Sequence, residues 1–231
     1  MKKKTSLITG ILFCIVSAAM AQDAPIMALD PTLMAGWSGN LAYGNTFGPK
    51  SSVKAKSSFP YTSTPAMRQS VVASFTKRLQ SQSPQGANAV MTTFGPGKAD
   101  YGTVYAEMLK TSALHDNDAA DALAGLILAG YQIVNNVPDA KVTKDKERAA
   151  RMQIAGILAN NSKLNAASTR ARTAEELKLQ TVILALGLQE SLKNNTADTY
   201  RKNIADMFLK SYRLNLYQFQ LTTKGFSKKK S

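Results

Sequence analysis

The densest concentration of groups able to do chemistry is His115-Asp116-Asn117-Asp118, with Asp121 three residues further on. His115 is the only histidine, and an imidazole titrating near neutrality is the natural base for a serine nucleophile. No Gly-x-Ser-x-Gly elbow lies near it. A lone histidine cannot build a histidine-rich zinc site, and no second histidine or cysteine is at hand. Asp116, Asp118 and Asp121 lack the glycine turn and distal glutamate of a calcium loop. Helix capping accounts for Asp118 and Asp121: one carboxylate accepts the free amide protons of a first turn, and both favour the positive helix end. Paired carboxylates for sugar chemistry would have to come from Glu107, Glu175, Glu176 or Glu190, which mostly read as exposed or capping positions. Gly95-Pro-Gly-Lys98 is a fragment of a phosphate loop without the spacing or the preceding strand. No catalytic residue is assigned, and no metal or cofactor is expected.

The basic residues carry more weight. The chain holds 29 basic and 15 acidic residues, a formal net charge of +14. That balance favours polyanionic partners, although charge sign argues about encounter rather than fold. Lys141, Lys144, Lys146, Arg148 and Arg151 crowd one segment, while Lys228, Lys229 and Lys230 form a tail. Lys141, Lys144, Arg148, Arg151, Lys228, Lys229 and Lys230 are therefore the candidate contacts to an anionic surface. Asp145 and Glu147 interrupt the first cluster, so a solvated helix face is the better single explanation of it. Nucleic acid is disfavoured, because no aromatic stacking platform accompanies the charge.

The elements that would carry these residues are helices. From Ala122 to Tyr131 no charge occurs, and Leu123, Leu126, Ile127, Gly130, Tyr131 and Val134 make one stripe. A helix apolar or small all round is buried on several sides, so this is the expected centre of a bundle, starting at Asp118 and ending at Asn135-Asn136-Val137-Pro138. Thr64-Pro65 and Ser83-Pro84 are cap-and-proline starts. The first precedes Met67, Val71, Phe75 and Leu79; the second precedes Ala87, Val90, Met91 and Phe94. A third helix follows Asp100. Thr143 to Ala159 is basic and amphipathic, with Met152, Ala155 and Leu158 expected toward the core and Asn160-Asn161 as its stop. Thr173-Ala-Glu-Glu176 reads as a capping box opening a long helix, which is apolar on every side between Val182 and Leu188 and should lie beside the central one. Thr196 caps a last helix. Leu214 to Leu221 alternates imperfectly and fits an extended strap or a short irregular helix. The expected fold class is all-α: a single bundle of about six or seven helices over residues 64–226, with a basic tail at 227–231.

Ahead of it, residues 22–63 are rich in proline, glycine, serine and lysine, and are expected to be a disordered low-complexity linker. Residues 1–21 have the three parts of a secretory signal: Met1-Lys-Lys-Lys-Thr5, an apolar run from Leu7 to Val16, and Ala19-Met20-Ala21. The chain is thus expected to be exported, to the periplasm or beyond, with no transmembrane span after cleavage. Removing Lys2, Lys3 and Lys4 from the 29 basic residues leaves 26 against 15 acidic, a net charge of +11. Cys14, the only cysteine, would leave with the signal, taking disulfides and thiolate chemistry with it.

Three stretches together resemble a known family: Phe59-Pro-Tyr-Thr-Ser-Thr-Pro-Ala-Met-Arg-Gln69, Asn117-Asp-Ala-Ala-Asp-Ala-Leu-Ala124, and Leu214-Asn-Leu216 through Leu221-Thr-Thr-Lys-Gly-Phe226. Their order and spacing are similar to those of exported bacterial proteins grouped only as a domain of unknown function, over roughly Phe59 to Phe226. The resemblance implies export and a helical fold, and brings no catalytic residues. The expected function is that of a non-enzymatic binding or envelope-accessory domain, its partner an anionic envelope surface or another exported protein. The alternative is an exported hydrolytic or toxin-like protein using His115 and nearby carboxylates.

Overall fold

The computed structural model describes residues 58–159 and 167–229. The signal segment, the linker up to residue 57, the Asn160-Asn161 stop and Lys230 lie outside the described residues. Seven α-helices are described: α1 (Pro65–Gln80), α2 (Pro84–Phe94), α3 (Tyr101–Leu109), α4 (Ala119–Asn135), α5 (Lys144–Ala159), α6 (Ala167–Lys193) and α7 (Ala197–Tyr212). A two-stranded antiparallel hairpin follows, β1 (Phe219–Thr222) and β2 (Gly225–Lys228). The fold is all-α apart from this hairpin.

The helix starts follow from the sequence chemistry. Thr64 Oγ1 accepts from Met67 N, Ser83 Oγ from Gly86 N and the Asp100 carboxylate from Gly102 N, so each satisfies a first-turn amide. Thr196 occupies the cap position of α7 without making the side-chain bond. Asn136, at φ 52°, closes α4 in the left-handed conformation that asparagine tolerates.

α4 and α6 are the most extensively packed pair, and they separate two apolar clusters. One gathers Leu123, Leu126 and Ile127 of α4 with Ile154 and Leu158 of α5, Ile204 and Phe208 of α7, and Phe226 of the hairpin. The other gathers Val71, Phe75 and Leu79 of α1, Val90 and Phe94 of α2, Tyr101 and Tyr105 of α3, and Leu179, Val182 and Ile183 of α6. α6 contributes to both, with Leu177 and Leu184 in the first, so its middle turns are buried all round. Each fully buried large side chain contributes roughly 1.5–3 kcal/mol, and the two clusters together hold the helices in place.

Four expectations need correction. The long helix starts at Ala167, not at Thr173; Thr173 Oγ1 donates to Thr169 O inside the helix. The preceding Ala-Ser-Thr-Arg-Ala-Arg, from Ala167 on, has no breaker, so the helix runs back through it and the capping-box pattern is coincidental. Ala155 and Leu158 face the core as expected, joined by Ala150 and Ile154, but Met152 points outward at 72% exposure. Leu214 to Leu221 holds both expected shapes in succession, a short 3-10 turn (Leu216–Gln218) and the extended β1, but the pairing of β1 with β2 into a hairpin was not expected. Phe219 and Leu221 are buried between exposed neighbours, and Gly225 at φ 95° permits the tight return. Lys228 is thus the end of a strand. Finally, the last residues of the expected linker are packed: Phe59 is fully buried, and Pro60 forms an antiparallel bridge with Asp118.

Candidate functional site: a buried ionic layer at the α4–α6 seam

The seam between the clusters is polar. Glu175, Glu176, Lys178, Gln180 and Thr181, all on α6, are buried. Glu175 and Lys178 lie three residues apart on one helix face, and Lys178 Nζ sits 2.8 Å from Glu175 Oε1. The same ammonium is 2.6 Å from Asp116 Oδ1, on the loop before α4. Two phenols complete the glutamate: Tyr61 Oη donates to Oε1 at 2.8 Å and Tyr101 Oη to Oε2 at 2.9 Å. The Lys178 ammonium also approaches the rings of Tyr105 and Tyr61, at 5.4 and 5.9 Å from the centroids. Burial, then the Glu175 charge, pushes the Tyr61 and Tyr101 hydroxyls well above the usual phenol range. Both are fixed as donors. Tyr105 Oη is buried with no hydrogen-bond partner among the described residues, and lies against the Cα of Gly125, where a Cβ would come within 2.8 Å of it.

A second cluster lies at the start of α4. Asp118 caps the helix through Oδ1, which accepts from Ala120 N and Asp121 N. Its other oxygen accepts from Phe59 N at 2.6 Å and Ser58 Oγ at 3.1 Å. Arg151 of α5 reaches over, Nη2 at 3.1 Å from Asp118 and Nε at 2.8 Å from Asp121 Oδ1. Burial raises the Asp118 carboxyl, but the Phe59 amide and Arg151 outweigh it and hold the pKa below the usual range. For Asp121 burial wins over Arg151, and the pKa is raised. Asp121 stands in the first turn of α4, as expected, and its carboxylate also pairs with Arg151. His115 is exposed, with Nδ1 3.4 Å from Asp121 Oδ2.

Two more pairs brace the layer. Arg68 of α1 grips Asp100 with two parallel contacts of 2.8 and 2.6 Å, tying α1 to the cap of α3. Arg78 pairs with Glu176, and Tyr212 Oη donates to Gln180 Oε1 at 3.0 Å.

The candidate surface cations divide. Lys141 and Lys144 are exposed, as is Arg148, which also pairs with Asp145 at 2.8 Å. Arg151 is turned inward at 16% side-chain exposure and belongs to the α4 cluster. Lys228 is exposed on the hairpin, and Lys229 Nζ donates to Asn135 Oδ1 at the end of α4. The hairpin docks on α5 through Gln153, which accepts from Phe226 N and donates to Phe226 O. Basic positions of α5 and of the hairpin thus sit on adjoining elements.

Glu175 and Glu176, read from the sequence as exposed or capping, are instead buried. The available signal was Glu-x-x-Lys at 175–178 inside a helix already apolar further along, together with tyrosines at 61, 101 and 105 that need acceptors once buried. Among the described residues no helix is long and apolar enough to cross a membrane, and no group of three or more His, Cys, Asp or Glu could hold a metal ion. No curated protein and no solved structure matches the chain. The model of one family matches residues 40–228, and the chain belongs to that family, the family of unknown function DUF6683.

Proposed function

We propose that this is a non-enzymatic, exported binding domain that makes reversible contacts with an anionic envelope surface through its exposed lysines. One observation carries the reading. Six of the chain's 15 acidic residues, Asp100, Asp116, Asp118, Asp121, Glu175 and Glu176, are committed among the described residues to ion pairs with four cations, Arg68, Arg78, Arg151 and Lys178. The packed layer holds an excess of negative charge, so the rest of the chain is more positive than the total of +14. Lys141, Lys144, Lys228 and Lys229 are exposed members of that remainder, and lysines near an anionic surface contribute roughly 1 kcal/mol each, falling with salt. Co-sedimentation with vesicles of anionic against neutral lipid, over a salt titration, tests it. The expected result is anionic-only binding that weakens with salt, and up to about a thousandfold loss on replacing the four lysines with glutamine. Salt-independent binding, or none to anionic vesicles and cell-wall fragments alike, removes the reading.

A second reading rests on the His115–Asp121 contact, which supplies an exposed imidazole with an orienting carboxylate as a hydrolase would need. His115→Ala would abolish any hydrolytic activity detected; unchanged activity discards it.

A further inference from the structure

The geometry points to the buried Lys178 ammonium as a recognition site for a small carboxylate, which Asp116 of the chain itself occupies and holds closed. This site is separate from the basic surface and does not depend on it. Lys178 is 1% exposed and rests on Glu175, whose two oxygens are taken by Tyr61, Tyr101 and Lys178 itself. Glu175 is therefore fixed, fully buried and part of the wall. Asp116 differs in each respect. It lies in the exposed stretch His115-Asp116-Asn117, its side chain is 36% exposed, and it comes from a loop rather than a helix.

The fit of Asp116 is also incomplete. Both of its contacts fall on Oδ1, the ion pair to Lys178 at 2.6 Å and the hydrogen bond from Asn117 N at 2.9 Å. Beside it, Tyr105 Oη is a buried donor without an acceptor among the described residues. A buried hydroxyl left unpaired destabilises the fold that holds it. The Lys178 ammonium lies 5.4 Å from the centroid of the same Tyr105 ring, so the phenol and the cation belong to one nest. A carboxylate free of the loop could face Lys178 with one oxygen and take the Tyr105 proton with the other, so the nest offers one more donor than its present occupant uses. The ligand class is a monocarboxylate, either a small acid or a carboxylate presented by a partner, and binding would swing the 115–117 loop outward.

The test is thermal unfolding of full-length Asp116→Ala in formate or acetate against chloride at equal ionic strength. The expected result is a rise in Tm that grows with the logarithm of concentration and reaches about 3–6 °C at about ten times the half-saturating concentration, specific to the carboxylate. Tyr105→Phe in the same background should weaken half-saturation several-fold. Adding Glu175→Gln and Lys178→Met together, which removes the buried pair whole, should abolish the rise. If formate and chloride act alike, or the rise survives without Lys178, the proposal is overturned. Should Asp116→Ala not fold, Asp116→Asn keeps an acceptor for the Asn117 amide and undergoes the same comparison. Failure of both variants to fold would make Asp116 a structural partner rather than a displaceable occupant, and would equally overturn it.

Discussion

Replacing Lys178 with methionine removes the cation and leaves a chain of similar length in the seam. Glu175 is then left at zero exposure with only Tyr61 and Tyr101 as donors. Breaking a buried pair by deleting one partner costs about 3–5 kcal/mol, because the other charge is stranded. The two phenol hydrogen bonds are charge-assisted and survive the substitution, so the loss belongs near the lower end, about 3 kcal/mol. Against a typical stability of about 5–15 kcal/mol that is a large fraction, and for a domain of this size it lowers Tm by about 6–12 °C. Urea unfolding followed by circular dichroism measures it, as a shift in midpoint at unchanged slope. The companion variant Glu175→Gln/Lys178→Met neutralises both partners, and should recover at least about 2 kcal/mol of the loss, a coupling only a direct interaction produces. A single-variant cost below about 1 kcal/mol would refute the reasoning, since it would mean that water reaches Glu175. A double variant as unstable as the sum of the singles would refute it too.

Three further outcomes follow from the same geometry. Arg151→Met should cost about 3–5 kcal/mol in urea unfolding because it strands Asp118 and Asp121, whereas Arg148→Ala, on the exposed face of the same helix, should stay within about 0.5 kcal/mol; equal effects would contradict the inward placement of Arg151. Gly130→Ala puts a methyl into the Phe208 ring and should destabilise by about 1–3 kcal/mol through overpacking, even though alanine is the better helix former; a stabilised variant would show that α4 and α7 are not in close contact there. The two aspartates of α4 should respond oppositely to acid. Asp118 has its folded pKa lowered, so its contribution is full above the unfolded value of about 3.9 and is lost as pH falls through the folded one. Asp121 has its folded pKa raised, so its contribution is full below about 3.9 and is lost as pH rises through the folded value. Urea midpoints from pH 7 to 3 should therefore fall less steeply for Asp118→Asn than for the parent chain, and more steeply for Asp121→Asn; parallel curves would dismiss both assignments.

What could be read from the sequence is what local chemistry decides. Thr64-Pro65, Ser83-Pro84, Asp100 and Asp118 mark helix starts because their oxygens have amides to accept from whatever the tertiary context. The uncharged run of α4 and the apolar turns of α6 announce burial by composition alone. The errors begin where a residue's use depends on a distant partner. Thr173-Ala-Glu-Glu176 matches a cap by pattern, but its acids find Tyr61, Tyr101 and Arg78, about a hundred residues away in the chain. The hairpin lacked an Asn-Gly turn, and its strands are stable only because Phe226 and Leu221 lean on Tyr131 and Gln153. Arg151 lies three residues after the exposed Arg148 in the same basic helix, and it is the position of α4 that separates their roles. The basic positions of the surface were visible as residues, but not which of them the interior would claim.

The placement of the ionic layer suggests what it does for the fold. α6 touches both apolar clusters, and apolar contact is non-directional, so sliding α6 by one turn, about 5.4 Å, would bury similar area. The polar contacts cannot slide. Glu175 answers to the segment before α1 and to α3, Lys178 to the loop before α4, Glu176 to α1, and Gln180 to α7. A register shift would strand all of them at once. Specificity of this kind is bought with stability, since buried ion pairs are often matched or bettered by apolar residues of similar volume. Glu175→Leu/Lys178→Met should accordingly fold with stability within about 1–2 kcal/mol of the parent chain, or above it. Its near-ultraviolet circular dichroism and amide dispersion should nonetheless be poorer, because the tyrosines around the seam no longer have fixed acceptors. If the variant keeps the dispersion of the parent chain, the apolar clusters alone set the register of α6, and the layer must be kept for the ligand rather than for the fold.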